Sequence, residues 1–239
     1  MKSKKKILLI ILIFIILILT SFIGIFLGTY SHSEPIADQY LVSNENVKVE
    51  QIDNYYYFDG PGEGTAIVFY PGAKVEAKSY APLLYKFAEN GVDCFLVKMP
   101  CNIAFFGSDS ATKIIEKYDY KDWYLSGHSM GGAVAAIYTS KNSDKVSGVI
   151  LLASYPTKPI SNTEKLLLIY GTNDGVLKMD KYNDGKQYWN ENTKEVVIEG
   201  GNHSQFGYYG KQKKDKDATI SAENQQEQTI NAVMEFINN

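Results

Sequence analysis

The residues GHSMG at positions 127–131 match the pattern Gly-x-Ser-x-Gly, and Gly132 follows them. The central residue, Ser129, comes directly after a mostly apolar run and directly before a run of small residues. This context predicts a strand, a sharp strained turn that exposes the serine hydroxyl, and a helix. Ser129 is therefore a candidate nucleophile. The alternative interpretation is a glycine-rich turn in which the serine caps the following helix.

A serine hydroxyl needs a base to take its proton, and the chain has only three histidines. His32 lies close to the N-terminal apolar run, far from any predicted strand end. His128 precedes the candidate nucleophile, and its side chain should point away from that hydroxyl. His203 remains, in a glycine-rich segment just past the last predicted strand. Elimination and position both favour His203 as the general base.

The base in turn needs a carboxylate that fixes its tautomer and stabilises the imidazolium. Asp174 follows the strand-like run KLLLIY (165–170) and precedes His203 along the chain. The order Ser, Asp, His is the one that this type of nucleophile turn predicts. Asp180 and Asp184 are alternatives that lie farther from a strand end. Because Gly175 follows Asp174, a simple turn residue is the other interpretation of this aspartate.

Acyl transfer also needs donors for the oxyanion that forms at the attacked carbonyl. The backbone amide of Met130, the residue after the nucleophile, is one expected donor. The second should come from the loop that follows the run TAIVFY (65–70), where the sequence continues Pro71, Gly72, Ala73. We expect the Ala73 amide to be this donor, with Gly72 allowing close approach. No metal or organic cofactor is required by this chemistry.

The elements that would position these residues alternate between buried strands and amphipathic helices, which is typical of a mostly parallel α/β sheet. An antiparallel hairpin, residues 47–58, should open the domain. The predicted strands that follow are 65–70, 92–99, 122–126, 146–154, 165–170 and 195–199. The predicted helices lie near 80–91, 111–118, 130–140 and 230–237, and helices should cover both faces of the sheet.

Together these segments resemble the α/β-hydrolase superfamily, and more closely its small bacterial branch without a cap domain, which is similar to dienelactone hydrolases. The likeness rests on FYPGAKVEAKSYAPL, LVKMP, GHSMGG, YGTNDG and GGNHSQFGYYG, which are spread over most of residues 47–239. The resemblance implies an eight-stranded type of sheet with Ser129, Asp174 and His203 converging at its carboxyl edge. Dienelactone hydrolases use a cysteine nucleophile, so their substrate does not carry over.

The connection between Ser154 and Lys165 offers only about ten residues, too few for an inserted lid domain. An open and shallow site is therefore expected. The run KQKKDKD (211–217) is interpreted as a solvated loop without a function.

The N-terminal region starts with a lysine-rich tail, residues 1–6, and continues as an apolar run over residues 7–29. The run is long enough for a transmembrane helix, and a cleaved signal peptide is the alternative. In either case the lysines stay in the cytoplasm and the remainder is exported. We expect a single-pass membrane protein, or otherwise a secreted one, with a stalk at 30–46 and a catalytic domain at 47–239.

The composition excludes some partners. All 24 basic residues are lysine. Outside the tail the chain has 20 lysines and 27 Asp and Glu residues, so this part is acidic. An acidic domain without arginine lacks the bidentate contacts used on phosphates and bases, so nucleic acid is not expected as a partner. The two cysteines, Cys94 and Cys101, are interpreted as a buried thiol and a loop thiol, with a small disulfide loop as the alternative.

These observations favour a serine hydrolase of the carboxylesterase type acting on a small or lipid-like acyl substrate. An acyltransferase that passes the acyl group to an alcohol or amine is the second hypothesis. A membrane-tethered binding domain is the third, and it predicts no labelling by a fluorophosphonate probe. The sequence does not specify the substrate or the oligomeric state.

Overall fold

The computed structural model describes residues 2–239, except for the side chains at positions 2, 3, 22, 23 and 25–27. Contacts divide this chain into two units, one ending at Ser31 and one comprising His32–Asn239. The first unit consists of helix α1, Lys2–Gly28. All the strands belong to the second unit.

The predicted transmembrane anchor at 7–29 includes positions 22, 23 and 25–27, which lie outside the described side chains. Within the part of the chain that is described, no helix combines the length and the apolarity needed to cross a membrane. The prediction of an anchor therefore gains no support from the structure.

The second unit is built on one eight-stranded sheet with the strand order β1-β2-β4-β3-β5-β6-β7-β8. The β1–β2 and β2–β4 pairs are antiparallel. The remaining pairs, β4–β3, β3–β5, β5–β6, β6–β7 and β7–β8, are parallel. The predicted mostly parallel α/β sheet with its opening hairpin is thus confirmed. The strands are β1 Lys48–Ile52, β2 Tyr55–Asp59, β3 Thr65–Tyr70, β4 Asp93–Val97, β5 Asp122–His128, β6 Gly148–Leu152, β7 Lys165–Gly171 and β8 Thr193–Ile198.

Helices cover both faces of this sheet, as the sequence predicted. Leu83, Leu84 and Val233, from two different helices, pack with one buried face, and Ile114 and Val134 pack with the other. Alternate side chains of a strand point to opposite faces, so each central strand supplies both cores. The helices of this unit are α2 Ile36–Gln39, α3 Ala81–Glu89, α4 Ser110–Ile115, α5 Met130–Thr139, α6 Met179–Gly185 and α7 Ala222–Asn238.

The parallel register places the carboxyl ends of β3, β5, β7 and β8 at the same edge of the sheet. Tyr70 at the end of β3 pairs with Gly127 in β5, and Gly171 at the end of β7 pairs with Ile198 at the end of β8. The loops that follow β3, β5, β7 and β8 therefore leave the same edge of the sheet. The connection 153–164 between β6 and β7 contains neither helix nor strand, so no lid domain is inserted there.

Most of the segment predicted as a stalk packs on the sheet-containing unit. Ala37 in α2 is fully buried, and Asp38 forms an ion pair with Lys78 at 2.8 Å. The Glu34 amide donates to the Tyr208 carbonyl at 2.8 Å. A polar composition suggested an extended linker, but one buried alanine and these hydrogen bonds hold residues from 32 onward against the domain.

The two cysteines are free thiols. Cys94 is buried in β4, whereas Cys101 is exposed in the loop after that strand. This agrees with the interpretation of a core thiol and a loop thiol.

The residue before β7, Glu164, is a buried carboxylate that predicts a pH-dependent stability. It is fully buried, and burial raises its pKa to about 7. A folded-state pKa above that of the unfolded chain means that stability is lost as the pH rises from about 4.5 to 7. We expect Glu164→Gln to stabilise the protein at pH 8 by about 1–3 kcal/mol, and at pH 5 by less than about 1 kcal/mol. Chemical denaturation at both pH values measures this.

The matched control for this prediction is Glu191→Gln, because Glu191 is exposed. We expect the control to have the same stability as the wild type at both pH values. An equal gain for Glu164→Gln at pH 5 and at pH 8 would contradict the assignment to ionisation.

Candidate active site

Ser129 lies on the sharp turn between β5 and α5. Its backbone has φ 53° and ψ −120°, a conformation that is strained for a residue with a side chain. Gly127 lies so close to the Gly131 backbone that an added Cβ would be 2.5 Å from the Gly131 carbonyl carbon, and Gly132 lies as tightly against the Gly127 carbonyl. The glycines of the motif are therefore required by the close packing of strand and helix around the turn.

His203 and Asp174 meet at the same edge of the sheet. Asp174 follows β7 and His203 follows β8, and the His203 Nδ1 atom lies 2.8 Å from Asp174 Oδ2. Both side chains are buried, with 1% and 2% exposure. Because an ionised carboxylate only accepts hydrogen bonds, Nδ1 carries the proton and Nε2 is left as the basic nitrogen.

The second oxygen of Asp174 fixes the turn in which it lies. Oδ1 accepts hydrogen bonds from the amides of Val176 at 2.8 Å and Leu177 at 2.7 Å. Both oxygens of Asp174 are thus engaged, one by the imidazole and one by the backbone. The alternative acids, Asp180 and Asp184, are exposed on α6, and Asp184 pairs with Lys181 instead.

The Nε2 atom of His203 is buried and has no hydrogen-bond partner among the described residues. His203 lines a cavity of about 350 Å³ together with Ser129 and Met130. The structure shows no hydrogen bond between the Ser129 hydroxyl and this nitrogen. Such bonds are often long in the absence of substrate and shorten in the reacting complex. The remaining wall of the cavity is mostly apolar and includes Phe105, Ala133, Ala153, Val176 and Leu177.

The two expected oxyanion donors follow β3 and β5 at the same edge of the sheet. Met130 is the first residue of α5 and lines the cavity, whereas Ala73 is not among the residues that line it. In the described part of the chain, neither amide donates a hydrogen bond to another residue. The Gly131 position lies against the Tyr70 carbonyl, which brings the start of α5 next to the loop after β3.

His128 lies beneath the candidate base, a placement that the sequence did not reveal. Its ring centroid is 4.5 Å from that of His203, and its Nδ1 lies 2.8 Å from the Tyr80 hydroxyl. The same hydroxyl accepts a hydrogen bond from the Gly72 amide at 3.2 Å. His128, Tyr80 and Gly72 thus connect the nucleophile turn to the loop that carries Ala73.

His128 is held in its neutral form. Full burial lowers its pKa well below the ordinary value, and the neighbouring His203 lowers it further. Because the His128 ring is neutral, it places no like charge beside His203 when the His203 imidazole takes a proton. His128 does not line the cavity, which agrees with the expectation that its side chain points away from the Ser129 hydroxyl. The contact of His128 with His203 was not predicted from the sequence.

No group of three or more His, Cys, Asp or Glu side chains that could hold a metal is found among the described residues. Ser129 and His203 line the cavity together with the polar residues Ser154, Tyr155, Thr157 and Lys178. A serine hydroxyl in the same cavity as an unpaired imidazole nitrogen suits nucleophilic chemistry.

Comparison with protein families decides the broader assignment. Residues 66–227 match the model of the alpha/beta hydrolase family. The chain belongs to this family. Comparison of the sequence with curated proteins gives no match.

Solved structures of other alpha/beta hydrolases share the fold. Est1E from Butyrivibrio proteoclasticus is 15% identical with a TM-score of 0.57, and 82% of this chain covers 100% of that one. The dienelactone hydrolase from Anabaena variabilis is 12% identical with a TM-score of 0.58, at 80% and 99% coverage. Alpha/beta hydrolase domain-containing protein 10 from mouse is 12% identical with a TM-score of 0.60, at 81% and 98% coverage.

At these identities the likeness establishes the fold. It agrees with the resemblance to the alpha/beta hydrolases, including dienelactone hydrolases. The match to the family, and not the shared fold, supports hydrolase activity in general. The bond that is cleaved has to be argued from the site of this alpha/beta hydrolase itself.

Proposed function

We propose that the protein is a serine hydrolase that cleaves carboxylic esters through an acyl-enzyme on Ser129. One observation carries the proposal. The buried hydrogen bond from His203 to Asp174 leaves the basic Nε2 unpaired beside the cavity that Ser129 also lines. A buried, unpaired nitrogen is costly in a protein that has no use for it.

The first half of the reaction forms the acyl-enzyme. The Ser129 hydroxyl oxygen attacks the ester carbonyl carbon while His203 Nε2 takes the hydroxyl proton, and Asp174 stabilises the resulting imidazolium. The tetrahedral intermediate collapses when the bond to the alcohol oxygen breaks. His203 gives its proton to this leaving oxygen, so the alcohol departs neutral and the acyl group stays on Ser129.

The second half returns the free enzyme. Water attacks the acyl carbon while His203 Nε2 takes a proton from it, and the bond to Ser129 then breaks as His203 returns the proton to the serine oxygen. The carboxylic acid leaves. In both halves the amides of Met130 and Ala73 are proposed to bind the oxyanion, where each donor is worth about 3–4 kcal/mol of barrier in a comparable enzyme.

The cavity favours an apolar acyl group of modest size. Its volume is about 350 Å³, and Ala133 lines it one turn along α5 from Ser129. Phe105, also in the wall, is 55% exposed and offers an aromatic surface at the entrance. These features support a short aliphatic or small aromatic acyl group. One solved structure similar to this chain is Est1E from Butyrivibrio proteoclasticus with ferulic acid bound. Feruloyl esters should therefore be included in the panel of test substrates.

Narrowing the cavity should change the preference for acyl length. We expect Ala133→Phe to lower kcat/KM for a p-nitrophenyl octanoate by about 10-fold to 100-fold relative to the acetate, since each excluded methylene costs about 1–3 kcal/mol. Ala222→Phe, on α7 and outside this cavity, is the control and should keep the wild-type ratio. An unchanged ratio in Ala133→Phe would place the acyl group elsewhere.

The acyl-enzyme itself can be captured. The purified protein is mixed with p-nitrophenyl butyrate, quenched in acid within milliseconds, and weighed by mass spectrometry. We expect a mass increase of one butyryl group on a fraction of the protein, and release of butyric acid at longer times. Turnover without any acylated species in the quenched samples, or no turnover of any ester in the panel, would contradict the proposal.

The acceptor of the acyl group is tested in the same reaction. Added alcohols or amines that compete with water would yield new esters or amides if the protein is an acyltransferase. We expect the acid to remain the main product. The location of the protein and the processing of its N-terminal segment stay predictions from the sequence.

A further inference from the structure

The charged segment 211–217 holds a buried carboxylate. The sequence led us to expect a solvated loop without a function, and Asp217 fits that expectation because its side chain is 88% exposed. Asp215 differs, since only 6% of the residue is exposed. Burying a carboxylate is unfavourable unless hydrogen bonds replace its water.

Five donors replace that water: one is the Lys216 amide of the segment itself, at 3.0 Å from Oδ1, and the other four come from the two loops of the candidate active site. Asp215 Oδ1 accepts from the Gly175 amide at 3.0 Å and from the His203 amide at 3.3 Å. Oδ2 accepts from the Ser204 amide at 2.9 Å and from the Ser204 hydroxyl at 2.7 Å. Gly175 directly follows Asp174, so one side chain joins the turn of the acid to the loop of the base.

The backbone of the same segment reinforces this connection. The Asn202 side-chain amide donates to the Lys216 carbonyl at 2.9 Å, and the Asn173 side-chain amide donates to the Asp217 carbonyl at 3.0 Å. Asn202 precedes His203, and Asn173 precedes Asp174. The residues on both sides of the proposed acid and base are therefore bound to this one segment.

No lysine neutralises Asp215 in the described part of the chain. Within the segment, Lys211 pairs with Asp217 instead. The carboxylate is held by neutral donors, and hydrogen bonds from N–H and O–H groups to an ionised acceptor are about twice as strong as neutral ones. This makes Asp215 a stiff connection between loops that lack strand pairing beyond Gly171 and Ile198.

We propose that Asp215 is a positioning residue that holds the His203 imidazole in line with Asp174 and Ser129. This inference rests on the proposed serine hydrolase function. Asp215 does not contact the cavity and acts through the backbone of Gly175, His203 and Ser204. Its loss should misplace the base, and displacement of a catalytic group by about 1 Å can lower the rate by about 100-fold.

The test compares Asp215→Asn with Asp217→Asn, which removes one negative charge from the exposed carboxylate two residues away. We expect Asp215→Asn to lower kcat for p-nitrophenyl butyrate by about 10-fold to 100-fold with little change in KM. We also expect the acidic limb of its pH–rate profile to move to lower pH, because the imidazolium loses stabilisation from its carboxylate. Asp217→Asn should match the wild type in both respects, and His128, which also faces His203, is unchanged in every variant.

A milder variant guards against loss of folding. Ser204→Ala removes one of the five donors to Asp215, together with the acceptor of the Gln212 amide. It leaves the four amide donors to Asp215 in place, so it should shift kcat and the acidic limb in the same direction by a smaller amount. An Asp215→Asn protein with the kinetics of Asp217→Asn would overturn the inference. A fall in activity that only follows the loss of folded protein, with the acidic limb unmoved in both Asp215→Asn and Ser204→Ala, would overturn it as well.

An observable other than activity separates this inference from the proposed function. The proton between His203 Nδ1 and Asp174 should give a downfield proton NMR signal in the wild type and in Asp217→Asn, and the signal should be weakened or absent in Asp215→Asn. If the wild type hydrolyses no ester but the signal depends on Asp215, the proposed function fails and the positioning role stands. If the signal is the same in all three proteins, the positioning role fails.

Discussion

Replacement of Ser129 by alanine is expected to lower kcat for a chromogenic ester by about 10⁴-fold to 10⁶-fold, the size seen when the nucleophile of a comparable triad is lost. The methyl group cannot attack the carbonyl, and His203 then has no hydroxyl from which to take a proton. The stability should change little, since the Ser129 side chain makes no hydrogen bond to another described residue. Steady-state hydrolysis and thermal unfolding of the same preparation measure the two quantities.

Ser126→Ala is the matched control for this variant. Ser126 lies three residues earlier in β5, is 1% exposed, and its hydroxyl has no hydrogen-bond partner among the described residues. We expect Ser126→Ala to keep the wild-type kcat. If Ser129→Ala retained most of the activity, or if the two serine variants lost activity equally, Ser129 would not be the nucleophile.

Replacement of Asp174 by asparagine is expected to lower kcat by about 10³-fold to 10⁴-fold, although it changes the shape of the side chain very little. The amides of Val176 and Leu177 donate to one oxygen of Asp174 and will hold the asparagine oxygen in that place. The asparagine NH₂ then faces His203 Nδ1, which must become an acceptor. The ring proton moves to Nε2, and the base that Ser129 needs is lost.

Asp184→Asn is the control for the acid. Asp184 is one of the two alternatives that the sequence left open, and it is exposed on α6 beside Lys181. We expect its kcat/KM to equal that of the wild type. A larger loss in Asp184→Asn than in Asp174→Asn would reverse the assignment of the acid.

The sheet could be predicted from the sequence because its central strands are buried on both faces. Runs such as TAIVFY and KLLLIY read as β3 and β7 with ends within one residue of the prediction. The proposed base could also be identified from the sequence, since only three histidines are present and their positions exclude two of them. Scarcity of a residue type, and not a longer motif, made His203 identifiable.

The contacts that cross between loops could not be predicted. Asp215 lies in a run of lysines and aspartates whose composition indicates solvent, and nothing in that pattern separates it from Asp217. What distinguishes the two is the set of amides at Gly175, His203 and Ser204, which only the folded chain brings together. The contact of His128 with His203 is hidden in the same way, because it depends on the loop after β8.

The N-terminal half of the predicted stalk shows the opposite error. A polar segment with one proline suggested a linker, but a single fully buried alanine at position 37 and the hydrogen bond from the Glu34 amide to the Tyr208 carbonyl attach it to the domain. Burial of one small residue is too weak a signal to be recognised in a sequence. Packing context, and not local pattern, decides such segments.

The most direct test of the central claim is covalent labelling with a fluorophosphonate followed by peptide mass spectrometry. The account predicts one adduct per folded chain, located on Ser129, absent in Ser129→Ala and formed much more slowly in Asp174→Asn. A folded wild-type protein that forms no adduct, or an adduct on a different serine that persists in Ser129→Ala, would contradict it.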